Sequence, residues 1–133
     1  MIMLDMMNAP SNVSFMKLDV QGNEVNLLDG AAETIARARP VMFVEIEDHW
    51  LRCFDTSSEE LMNKLLGMDY ILLRIKTEYP CDHVAVPKEK SIIADAIINN
   101  LNYPVDVISG KSVKLDFSGS VEPSIIYNTF TVS

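Results

Sequence analysis

The sequence predicts an α/β protein built on an open, mostly parallel sheet. Three observations predict it. Apolar runs recur that are too continuous for strands exposed on one face, as buried parallel strands are. Between them lie stretches with apolar residues three and four apart, the spacing of one helix face. The order is strand, helix, strand, helix, strand, strand, and strand–helix–strand units imply parallel pairing with right-handed crossovers.

The first strand is "NVSFMKLDV" at 12–20, nearly all apolar with one lysine inside it. "QGN" makes the turn. From Asn23 to Ala38, Val25, Leu28, Ala32 and Ile35 form one stripe, which Leu27 and Ala31 widen. Asn23 is placed to cap this single helix, Glu24 suits its first turn, Arg37 and Arg39 suit its last, and Pro40 stops it. "PVMFVEIE" at 40–47 is the second buried strand. The next helix opens on Ser57 and Glu60 as a capping box, carries Leu61, Met62, Leu65 and Leu66 as its stripe, and closes on Gly67. "YILLRI" at 70–75 and "HVAVP" at 83–87 follow as strands, and the short link "KTEYPCD" fits an antiparallel return. After Lys90 the texture changes. "SIIADAIINNL" reads as a short helix, and the remainder alternates apolar and polar residues with Ser-Gly turns at 109–110 and 118–119, as hairpins do.

The chain's 133 residues fit one folded unit with a real core. Its formal net charge is −8, from 19 acidic against 11 basic side chains, which repels phosphate backbones and argues against nucleic acid as a partner. Cys53 and Cys81 form no CxxC and lack a second pair for a zinc site, so they read as free thiols of a reducing compartment. No apolar run is long enough for a bilayer. "MIMLDMMNAPSN" has no basic n-region and is interrupted by Asp5, so no signal peptide is expected. The expectation is a soluble, cytoplasmic protein with no membrane or nucleic-acid partner.

"FMKLDVQGNE" at 15–24 together with "PVMFVEIE" at 40–47 resembles the FkbM family of S-adenosylmethionine-dependent methyltransferases. The resemblance rests on Lys17, Asp19, Gly22 and Glu24, then Leu28, Gly30 and Ala31, a Pro-led strand bearing Glu45, a turn at Leu66–Tyr70, and "DHVAVPKE" at 82–89. "MLDMM" matches the segment that precedes this block, so the likeness runs over residues 3–90. Gln21 stands where the family has Glu. The resemblance implies a partial Rossmann-like methyltransferase sheet, strands four to seven, in spatial order four, five, seven, six with seven antiparallel. Residues 1–90 would be this half-domain, and 91–133 a tail of short helix and β-hairpin.

The family's first half carries a Gly-rich turn under the cofactor, and this sequence has no glycine ahead of Gly22. The expectation is a truncated methyltransferase, active only when completed by an N-terminal half, or a non-catalytic binding or scaffold module of the same descent. S-adenosylmethionine is the cofactor the family implies; this chain alone is expected not to bind it, and no cofactor-binding or metal residues are assigned.

Four residues are candidates for chemistry on the acceptor side. Asp19 ends a parallel strand at its C-terminal edge, where open α/β sheets put ligands, or it caps the following turn. Glu45 sits inside an apolar strand, where an unpaired carboxylate is costly; it either pairs across to Lys17 or joins Asp19 and Glu24 in an acidic pocket. His49, in "EDHW", is a general base or a surface histidine, and Trp50 beside it stacks on a ligand or seals the sheet's end. His83 reads as structural. The strand at 12–20 would leave an unpaired edge, so a homodimer is expected, with that edge and the C-terminal tail in the interface.

Overall fold

The computed structural model describes residues 14–18, 20–78 and 81–114, and the backbone of 127–132. The elements are β1 (Phe15–Leu18), α1 (Glu24–Gly30), α2 (Ala32–Ala38), β2 (Val41–Glu45), α3 (Asp48–Arg52), α4 (Ser58–Gly67), β3 (Tyr70–Ile75), β4 (Asp82–Pro87), α5 (Ser91–Asn100), β5 (Val105–Ser109) and β6 (Tyr127–Val132). The strands form one sheet in the order β1-β2-β4-β3-β5-β6. β1 and β2 are parallel, whereas β4 runs antiparallel to both β2 and β3. Of the five described pairings only β1–β2 is parallel, so the sheet is mixed and not the mostly parallel one expected; the reversed β4 separates β2 from β3, and β5 and β6 return antiparallel, while the order of the first four positions matches the one the resemblance implies. β5 and β6 add antiparallel to β3 and to each other, so they extend the end of the sheet far from β1.

Alternation along each strand divides the core in two. On one face Met42, Val44, Tyr70, Leu72 and Ala85 meet Val25, Leu28 and Ile35 of α1 and α2, and Leu61, Met62, Leu65 and Leu66 of α4. On the other, Leu73, Val84, Val86, Val105 and Val107 meet Ala94 and Ile98 of α5. Each fully buried leucine contributes about 2 kcal/mol by removal from water. β1 is less buried than its composition predicts: of its four residues only Leu18 is fully buried, because β1 is the end strand of the described sheet.

The helix expected over 23–38 is two helices. Gly30 ends the first, and Ala31 N–H turns back to the Leu28 carbonyl at 3.2 Å before the chain resumes as α2. Asn23 occupies the N-cap without capping; its Oδ1 accepts from Asn26 Nδ2 at 2.7 Å. α3, absent from the sequence reading, follows β2 directly. Ser57 caps α4 as expected, its Oγ accepting from Glu60 N–H at 3.1 Å. Gly67 is not the C-cap: α4 runs through it, and the left-handed residue is Asp69, at φ +62°.

At the sheet's other rim, Arg39 ends α2 at φ +48°. Its guanidinium donates to both Glu89 carboxylate oxygens, at 2.8 and 3.0 Å, and to the Met68 and Asp69 carbonyls, at 2.7 and 3.0 Å. It also lies 4.7 Å over the Tyr70 ring. Three turns are thereby joined by one side chain.

Candidate functional site

The turn after β1 and the start of α3 after β2 meet at the C-terminal end of the two parallel strands. Gln21 and Gly22 both have positive φ, +46° and +102°. A Cβ on Gly22 would lie 2.0 Å from the Trp50 carbonyl oxygen, so the turn reaches α3 only because this residue is glycine. Gly22 N–H donates to Glu24 Oε2 at 2.9 Å. Glu24 is 2% exposed, so this buried carboxylate holds the turn closed.

α3 is fixed by its first residue. Asp48 accepts from Ser58 N–H at 2.9 Å through Oδ1 and from Arg52 Nε at 2.6 Å through Oδ2. Burial alone would raise the Asp48 pKa; the bonds from Ser58 and Arg52 outweigh it and hold the carboxyl below its ordinary value. Trp50 is thereby presented at 39% exposure, with the His49 ring edge-on at 5.1 Å between centroids.

Gln21, Gly22, Glu24, Glu45, Glu47 and Trp50 line a cavity of about 30 Å³. That is room for roughly one water molecule. Of the four residues named from the sequence, Glu24 and Glu45 line it. His49 is exposed on α3 and outside its lining. Asp19 lies outside the described residues. The register puts Lys17 opposite Phe43, two residues before Glu45, so Lys17 and Glu45 share a sheet face at diagonal positions. Sequence reasoning missed Glu47 as a lining residue. Its one signal is its place two residues beyond Glu45, where β2 gives way to α3. Among the described residues, no group of three or more His, Cys, Asp and Glu could hold a metal ion.

His83, read as structural, is buried on β4 with Nδ1 2.8 Å from the Cys81 carbonyl and Nε2 accepting from Arg74 Nε at 3.1 Å. Burial first, and the Arg74 charge second, push its pKa down to about 3. Neither Cys53 nor Cys81 forms a disulfide. Among the described residues no helix is long and apolar enough to cross a membrane.

A family model described as methyltransferase FkbM domain matches residues 3–72. No curated protein and no solved structure gives a significant match.

Proposed function

This chain belongs to the FkbM methyltransferase family, and on that premise we propose that it carries the acceptor-side lip of an S-adenosylmethionine-dependent methyltransferase sheet. The observation that carries this reading is the meeting of Gln21–Glu24 with Glu45, Glu47 and Trp50 at the C-terminal end of parallel β1 and β2. Open α/β sheets bind ligands at that end.

The described residues do not fit the cofactor itself. The cavity at the strand ends holds about 30 Å³, far below the roughly 300 Å³ at which ligand pockets begin, and the sequence offers no glycine-rich turn ahead of Gly22. S-adenosylmethionine supplies the methyl group in the family's chemistry; a segment outside these residues would have to hold it. The residues present do something narrower. Glu45 and Glu47 carry carboxylate oxygens that can accept hydrogen bonds from an acceptor's hydroxyl or amine, and the Trp50 indole offers a flat apolar surface beside them. Glu24 acts through the backbone, holding the Gly22 turn in the shape that leaves the cavity open. His49, on α3, is a further acceptor-side group in this reading, and Asp19 is included with it on the sequence alone.

The small cavity also favours a second reading, a non-catalytic binding module of methyltransferase descent. ¹⁵N-resolved NMR titration separates the two. On the acceptor-lip reading, small polyols or amines shift the Trp50 indole and Gly22 amide resonances together, and Glu47→Ala abolishes the shifts while leaving the rest of the spectrum in place. No shift at either resonance up to about 100 mM ligand, well above the roughly millimolar range of weak binding, contradicts that reading.

A further inference from the structure

Val20, Trp50 and Phe54 are three of the seven large hydrophobic side chains exposed among the described residues, and they gather about one turn. Val20 directly precedes Gln21, Trp50 lines the cavity, and the Phe54 ring stands 3.0 Å from where a Gly22 Cβ would lie. Exposed apolar side chains scattered singly need no explanation, but three around one candidate site do. The loop after α3 holds Phe54 in place. The carbonyl of buried Leu51 accepts from Phe54 N–H at 3.0 Å, from Thr56 N–H at 3.1 Å and from Thr56 Oγ1 at 2.9 Å. Polar side chains of the same stretch are tied back to α3, Arg52 Nε to Asp48 at 2.6 Å and Cys53 Sγ to the His49 carbonyl at 3.5 Å.

The cavity beneath this rim, about 30 Å³, has room for a single hydroxyl or amine group and not for a whole acceptor. The rest of an acceptor must lie on what surrounds the cavity, and that surround is apolar. Glu45 and Glu47 in the lining disfavour an anionic head by like charge. Resting on the acceptor-lip reading, we propose that the acceptor is an amphiphile, a neutral or cationic hydroxyl or amine head on an aromatic or hydrocarbon body. Its head enters the cavity, and its body lies on Val20, Trp50 and Phe54. Phe54, outside the cavity lining, is then a specificity-determining residue. A polyol of similar size would set hydroxyls against this rim in place of water, which costs free energy.

¹⁵N-resolved NMR titration of the full chain with matched pairs tests this, each pair sharing a head and differing in body: ethylamine against phenethylamine, and glycerol against benzyl alcohol. The Gly22 amide and Trp50 indole shifts give the dissociation constants. The aromatic member of each pair binds about fivefold tighter or more, and Phe54→Ala weakens it by roughly two- to tenfold, the worth of one aromatic contact, while the small member is unmoved. Val20→Ser, on the other side of the turn, narrows the same gap and serves if Phe54→Ala loses its fold. Equal affinities within both pairs overturn the proposal and leave the acceptor lip standing. A gap that neither variant narrows overturns it too, since the body then lies elsewhere. Silence at both resonances with all four compounds overturns the acceptor-lip reading and this proposal with it.

Discussion

Gly22 shows how one residue type decides the geometry of the site. Its φ of +102° is open to glycine, and its Cα faces the Trp50 carbonyl at a distance no Cβ tolerates. Gly22→Ala should therefore cost on the order of 3 kcal/mol or more, since strain and a backbone clash coincide. A stability from urea unfolding within about 0.5 kcal/mol of the parent would contradict it. The Gln-Gly turn was legible in the sequence, because the dipeptide sits between a strand run and a helix stripe. The role of Glu24 was not. Its acidic place in a first turn pointed to the helix dipole, but the side chain turns back to the Gly22 amide, a contact fixed by the tertiary burial of α1.

His83 makes the second residue-scale case. Its ring is buried between the Cys81 carbonyl and the Arg74 guanidinium, and its pKa is pushed down to about 3 from 6.5. The sign follows from linkage. The folded protein keeps His83 neutral, so this contribution is fully present above pH 6.5 and is lost as pH falls toward 3. Glu89, held down to about 2 first by its bond from Arg39, begins to lose its contribution only below 4.5. Of these two groups, only His83 contributes to the pH dependence between 6.5 and 4.5. There the parent should lose stability with a limiting slope of about 1.4 kcal/mol per pH unit, and His83→Gln should show a flatter profile. Coincident slopes for the two proteins would refute the assignment.

At the scale of elements, periodicity located the four strands of the block and α4, because apolar spacing reports burial directly. It failed where local chemistry, not periodicity, sets a boundary. The stripe over 23–38 continues through Ala31 without an apolar gap, and the break there comes from Gly30 and a tightened last turn. α3 is five residues long, too short to show a repeat, and is held by Asp48. Gly67 looked like a C-cap by residue type, yet Asp69 takes the left-handed position. Gly67 is helical, and a Cβ there would meet nothing within 4 Å. Gly67→Ala should then raise stability by about 0.5–1 kcal/mol, chiefly by restricting the unfolded chain. A lower melting temperature would show that the position needs glycine for a reason outside this account.

At the scale of the whole molecule, the order β1-β2-β4-β3 is the one the family resemblance implied, whereas the crossover units and the short link by themselves indicated only strand directions. The place of the tail was not legible. Alternation along "VDVIS" identifies a strand but carries no address, and it was the β3 edge that took it. The candidate site was legible in part. Residues near Gly22 and Glu45 come together because both parallel strands end at the same rim. Glu47 and Trp50 join them only through the unforeseen α3. On the proposed reading these residues form the acceptor lip of a methyltransferase-family sheet, and the cofactor is held by residues other than these. Isothermal titration of the purified chain with S-adenosylmethionine tests that most directly. No saturable heat with a dissociation constant near or below about 10 µM is expected. A one-to-one isotherm at or below that value, roughly −7 kcal/mol, would contradict it.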